Sequence, residues 1–130
     1  MKLGLICDIH EHIEHLRQAL DHLASCSVDR IVVIGDLFAT GEHIEELCCR
    51  LAAAGVVGVW GNHDFGLCVE PEPVTRAKYS SVVFDYMATL QPRMEMDDCY
   101  FSHVEPWLNP EDVLDLPRLI PVRANWCHST

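Results

Sequence analysis

Three short apolar runs dominate the first half of the chain, each ending in a polar cluster, and the segments between them repeat apolar residues at helical spacing. Lys2 to Cys7 is short and apolar and reads as a buried strand. Ile13, Leu16, Leu20 and Leu23 then recur three and four apart, which is one face of a helix expected from about Glu11 to Ser25. Asp29 to Asp36, DRIVVIGD, is β-branched without alternation, as in a strand covered on both faces. Gly41 breaks the chain. Ile44, Leu47, Cys48 and Leu51 then mark a second amphipathic helix that stops near Gly55. Val56 to Asp64, VVGVWGNHD, is a third strand running into a glycine turn. A βαβαβ order with crossovers this short implies parallel strands, right-handed connections and helices packed on the sheet.

In such a sheet, ligands gather beyond the carboxyl ends of the strands. The sequence puts CDIH, GDLF and GNHD at those ends, so three chemically loaded stretches are expected to meet at one edge. Asp8 and His10 are two apart, and in extended backbone a carboxylate and an imidazole at that spacing point the same way and can grip one cation. The bland alternative is an acid and a histidine in a loop. Asp36 follows Gly35, whose lack of a side chain lets the backbone turn and approach a ligand closely. A carboxylate there can hold two metals, one through each oxygen. In GNHD, the Asn62 amide oxygen suits a hard divalent cation, and His63 beside Asp64 gives a positioned imidazole capable of acid chemistry. His103 ends the last expected strand, where a water-facing histidine is the plain reading.

The second half is less regular. Val83, Tyr86, Met87 and Leu90 suggest one helix with a loose start over Val74 to Leu90. RMEMDDCYFSH reads as a hairpin, with Asp97 and Asp98 as its turn and Cys99 to His103 as its second strand. Beyond Val104 the chain is punctuated by prolines, with one turn of helix expected near Asp112 to Leu116. No repeat or linker divides the 130 residues, so a single domain over 1–130 is expected.

The net charge is −11 with His neutral, which repels phosphate backbones and argues against a nucleic-acid coat protein. A phosphorylated substrate stays admissible if bound metal supplies the positive charge. No apolar run reaches the roughly 18 residues of a membrane span, and the N-terminus does not read as a signal peptide, so a cytoplasmic protein without a membrane partner is expected. The seven cysteines contain no CxxC pair, which excludes a zinc ribbon. Reduced, buried thiols are expected instead.

Taken together, DxH at Asp8–His10, GD at Gly35–Asp36, GNHD at Gly61–Asp64 and the strand-end His103 resemble the calcineurin-like metallophosphoesterase family, in the right order over roughly residues 1 to 105. The resemblance implies an α/β sandwich with a two-metal site at the strand ends. It implies two divalent ions (Mn, Fe or Zn) that activate a hydroxide against a phosphate mono- or diester. Asp8 and His10 would bind the first metal, Asp36 would bridge both, and Asn62 and His103 would bind the second. His63 would face the scissile phosphate without ligating, with Asp64 orienting it. A glycine and an asparagine often follow DxH in the family. Here Glu11 and His12 stand there, and His12 and His15 are read as residues of the surface helix.

The chain departs from the family pattern at its end. No GHxH follows His103, and only His128, beside Cys127, comes later. The expectation is therefore about three protein ligands per metal, an incomplete second sheet after the hairpin, and room for self-association into a homo-oligomer. Two further readings stay open: a non-catalytic scaffold or binding module of the same fold, and a shortened, inactive fragment.

Overall fold

The computed structural model describes residues 1–103; the expected helical turn at Asp112 to Leu116, and Cys127 and His128, lie outside the described residues. Strands β1 (Leu3–Ile6), β2 (Arg30–Ile34) and β3 (Val57–Val59) form one parallel sheet in the order β1-β2-β3. Leu3 pairs with Arg30 and Val33 with Gly58. Helices α1 (Ile13–Ser25) and α2 (Ile44–Ala53) make the two crossovers.

The central strand explains its own sequence. Successive side chains on a strand point to opposite faces. Val33 enters a core with Leu16, Leu47, Leu51 and Met87, while Val32 and Ile34 enter a second core with Val59 and Phe101. Both faces are therefore apolar, and the run carries no alternation. The α2 residues Ile44, Leu47, Cys48 and Leu51 are all buried, as their spacing requires.

The hairpin expected near the end of the described chain is β4 (Arg93–Met96) and β5 (Cys99–Ser102), antiparallel, with Met96 opposite Cys99. Its turn residues Asp97 and Asp98 both have left-handed backbone, at φ 52° and 63°, which suits a two-residue hairpin. Phe101, with Met94 and Met96 beside it, covers the sheet face away from the helices. Just before the hairpin, Trp60 N–H donates to the Gln91 carbonyl and Gln91 N–H to the Gly58 carbonyl, tying the approach to β3. Among the described residues the second sheet has two strands.

Three local expectations need correction. α1 begins at Ile13 instead of Glu11, because His10 and Glu11 have φ of 47° and 61° and cannot join a right-handed helix. The single helix over Val74 to Leu90 is split into α4 (Pro73–Arg76) and α5 (Ser81–Met87), with Ser80 extended between them as the start of a new helix. A further one-turn helix, α3 (Phe65–Cys68), follows GNHD, where the Asp64 carbonyl accepts the Leu67 and Cys68 N–H groups. Of the described cysteines only Cys48 is fully buried, and Cys49 is exposed. No helix among the described residues is long and apolar enough to cross a membrane.

Candidate metal centre

Beyond β1 and β2 the two chain segments run side by side. Asp8 N–H donates to the Gly35 carbonyl at 3.2 Å, His10 N–H to the Asp36 carbonyl at 3.0 Å, and Glu11 N–H to the Leu37 carbonyl at 2.9 Å. Asp8, His10, Glu11 and Asp36 all carry positive φ, between 47° and 61°. Left-handed backbone costs an L-residue roughly 1–2 kcal/mol, so the strand ends concentrate strain where the polar clusters meet. The extended Asp8–His10 geometry expected from their spacing is therefore corrected. The two side chains still converge, with His10 Nε2 3.7 Å from Asp8 Oδ1, but through a left-handed turn.

Asp36 is the hub. Its Oδ2 lies 3.1 Å from His103 Nε2 and 3.9 Å from His10 Nε2, and its Oδ1 lies 3.2 Å from His63 Nδ1. Two glycines make room for it. Gly35 has φ of 85°, and a Cβ there would stand 2.5 Å from His103 Nδ1. A Cβ on Gly61 would overlap the Asp36 carboxylate. Burial works against the Asp36 charge, but the imidazoles of His103 and His63 outweigh it and hold the carboxyl down at about 2. Burial likewise disfavours charge on His103. The adjacent Asp36 carboxylate, with the Ile34 carbonyl and Asp8, outweighs that and raises it above its ordinary value.

The donor set fits a divalent cation. His103 is 1 % exposed, and its Nδ1 lies 2.8 Å from the Ile34 carbonyl, which can only accept. Nδ1 therefore carries a hydrogen and Nε2 is aimed at the Asp36 carboxylate, where the ring, on giving up its second proton, would offer a lone pair to a cation. That contact is close but lacks hydrogen-bond geometry, and Nε2 has no other partner among the described residues. A second nitrogen anchored on a backbone carbonyl is the usual arrangement behind a ligating histidine. The Asn62 amide oxygen is also buried without a hydrogen-bond partner among the described residues. A buried histidine nitrogen aimed at a carboxylate and a buried amide oxygen without a donor are atoms that a bound cation would satisfy.

The expected aspartate and histidine ligands, with His63, fall into two groups whose candidate atoms lie within 4.8 Å of one another: Asp8, Asp36 and His103, and His10, Asp36 and His63. Asp36 is common to both groups, and Asp8 and His10, 3.7 Å apart, lie one in each. His63 remains the most open of the set, its side chain 57 % exposed.

Asp64, expected to orient His63, is engaged by the backbone. It is fully buried, and its oxygens accept hydrogen bonds from the backbone N–H groups of Leu37, Phe38 and Gly61 at 2.8–2.9 Å, not from the His63 ring. Burial pushes its carboxyl up, and the three donors pull against that. Asp64 thus clamps the GNHD turn to the segment after β2 and sets His63 through the backbone.

Glu11 belongs to none of the motifs that mark the site in the sequence. Its buried carboxylate accepts the N–H groups of Ala39, Gly41 and His43 at 2.6–2.8 Å. It straps the loop between Asp36 and α2. The one clue in the sequence is an acid standing after DxH, where a glycine is usual. The glycine-like φ of 61° is kept and the side chain has been put to use. His12 precedes α1 and His15 lies in its first turn; both are exposed, their rings stacked 5.0 Å apart.

Residues 1–118 match the model of the calcineurin-like phosphoesterase superfamily domain. The chain belongs to this family. A phosphodiesterase of Methanocaldococcus jannaschii is 26% identical over 104 residues, covering 78% of this chain and 56% of that protein. A solved metallophosphoesterase from Sphaerobacter thermophilus superposes with a TM-score of 0.65 at 24% identity, over 84% of this chain and 49% of that one. This calcineurin-like phosphoesterase domain therefore spans about half the length of both relatives. The α/β architecture expected from the motifs, a parallel sheet with an antiparallel hairpin on one face, is the observed one.

Proposed function

We propose that this domain hydrolyses a phosphate mono- or diester with the help of divalent metal. The observation that carries the reading is the convergence of histidine nitrogens on the Asp36 carboxylate, with the buried His103 Nε2 lacking a hydrogen-bond partner among the described residues. Asp8, His10, Asp36, Asn62 and His103 are the residues that would hold metal. Bound there, Mn, Fe or Zn would supply Lewis acidity and offset the charge of the phosphate. The remaining work falls to the chain itself. His63 Nδ1 rests beside Asp36, which leaves Nε2 for the cleft and for giving a proton to the departing oxygen. Asp64 and Gly61 hold that histidine at the strand end, and Gly35 keeps His103 against Asp36.

The test is hydrolysis of bis-p-nitrophenyl phosphate by the 130-residue chain with and without Mn²⁺, beside Asp36→Asn and His63→Ala. We expect metal-dependent turnover, loss of both metal and activity in Asp36→Asn, and loss of activity with metal retained in His63→Ala. Loss of metal in His63→Ala would make His63 a ligand. A fully active His63→Ala would remove it from the chemistry. Absence of turnover in a chain that still binds metal would favour a binding module of the same fold.

A further inference from the structure

Beside His63 lies a cleft of about 220 Å³ whose lining includes Phe38, Leu67, Thr75, Lys78 and Tyr79. The proposed hydrolysis leaves these side chains without a task. The cleft is smaller than the roughly 300–1,000 Å³ of sites that hold drug-sized ligands, so it suits one ring-sized group.

Its aromatic wall is built in advance. The Phe38 and Tyr79 rings meet edge to face at 6.2 Å and 84°. Tyr79 leans in turn on Phe84 at 6.3 Å, and the Arg76 guanidinium covers Phe84 at 5.4 Å. On its far side the Tyr79 hydroxyl lies so close to Gly41 that a Cβ there would overlap it. Gly41 is itself held by Glu11. Three neighbours thus fix Tyr79 before any ligand arrives, which lowers the ordering cost of binding.

The polar side of the cleft is sparse. Lys78 is one of two lysines in a chain of net charge −11. The other, Lys2, is engaged by the Cys26 carbonyl, at the start of β1 and so away from the strands' carboxyl ends. An ammonium and the Thr75 hydroxyl beside aromatic faces offer cation–π and donor contacts to a ring, and little to an aliphatic chain.

We propose that this cleft receives an aromatic ring carried by the organic group of the phosphoester, with Tyr79 and Phe38 as its walls and Lys78 at its lip. The proposal rests on the phosphoesterase reading for the placement of the phosphate at Asp36 and His63. It makes aryl-bearing phosphoesters, nucleotides among them, the preferred class over aliphatic ones of equal size.

The experiment compares two non-hydrolysable probes, benzylphosphonate and cyclohexylmethylphosphonate, by calorimetric titration of the full chain in the presence of Zn²⁺. Turnover of benzyl phosphate is measured in parallel. We expect wild type to bind the benzyl probe about fivefold tighter, Tyr79→Phe to keep that ratio, and Tyr79→Leu to bring it near one. Equal affinities in wild type, no binding of either probe, or a ratio unchanged in Tyr79→Leu would overturn the cleft assignment. A ring preference without turnover leaves the cleft standing and removes the hydrolytic reading. Turnover without ring preference does the reverse.

Discussion

His103 Nε2 lies 3.1 Å from Asp36 Oδ2, while the other nitrogen of the same ring sits 2.8 Å from the Ile34 carbonyl. The ring is aimed by a backbone acceptor 69 residues away in sequence, and its other nitrogen is delivered to a carboxylate. A divalent ion inserted there relieves both groups. Metal at a hundredfold excess over its Kd should stabilise the fold by about 2.7 kcal/mol. For a domain of this size that raises Tm by roughly 8 °C. His103→Gln should lose most of that rise. Thermal unfolding with and without Zn²⁺ reads it, and a wild-type Tm indifferent to metal would refute the site.

Gly35 has two reasons to resist a side chain: its φ of 85° and the His103 ring 2.5 Å from where a Cβ would stand. Gly35→Ala is expected to destabilise by about 2–3 kcal/mol and to weaken metal binding by displacing the ring. Gly66→Ala is the control, since a Cβ there meets nothing within 4 Å. It should stay within about 0.5 kcal/mol of wild type. Urea denaturation of the three proteins makes the comparison.

The Glu11 strap sets a left-handed backbone against three charge-assisted hydrogen bonds. Glu11→Ala loses the bonds and keeps the strain, so it should destabilise by about 3 kcal/mol. Glu11→Gly loses the bonds but relieves the φ of 61°, so it should recover about 1 kcal/mol relative to alanine. An alanine variant as stable as the glycine variant would show that the backbone angle carries no strain. Hydrogen exchange at Ala39, Gly41 and His43 should accelerate in both.

A buried thiol, a partly buried one and a buried phenol set the alkaline limit. Burial, aided by neighbouring Cys49, pushes Cys48 up to about 12 from an ordinary 9.0. Burial also pushes up Cys68, from 9.0, and Tyr86, from 10.0. A folded pKa raised above the unfolded one gives stability that is full below the unfolded value and lost as pH rises through the folded value. Stability should hold to about pH 9 and then fall, by up to about 1.4 kcal/mol per pH unit for each thiol. Cys48→Val should flatten the decline between pH 9 and 11 in thermal melts. At pH 8, iodoacetamide should label the exposed Cys49 and spare Cys48 in the folded chain.

The amino-acid sequence alone determined the order of the elements and the edge where chemistry collects. Periodicity reports local burial: Ile44, Leu47, Cys48 and Leu51 could face a core only as a helix, and Val32 to Ile34 could be apolar throughout only in a strand covered on both sides. Once the strands were parallel, Asp8, Asp36 and His63 had to share one end of the sheet. Tertiary structure decided how they are held there. The left-handed turn at Asp8 and His10, the engagement of Asp64 by backbone N–H groups 26 and 27 residues away, and the Glu11 strap to Ala39, Gly41 and His43 are contacts between distant segments. So is the aromatic wall made by Phe38 and Tyr79. A spacing rule sees neighbours along one helix or strand. The partner of a buried carboxylate is chosen by which backbone donors the closed fold leaves unsatisfied, and these are known only when the segments have met.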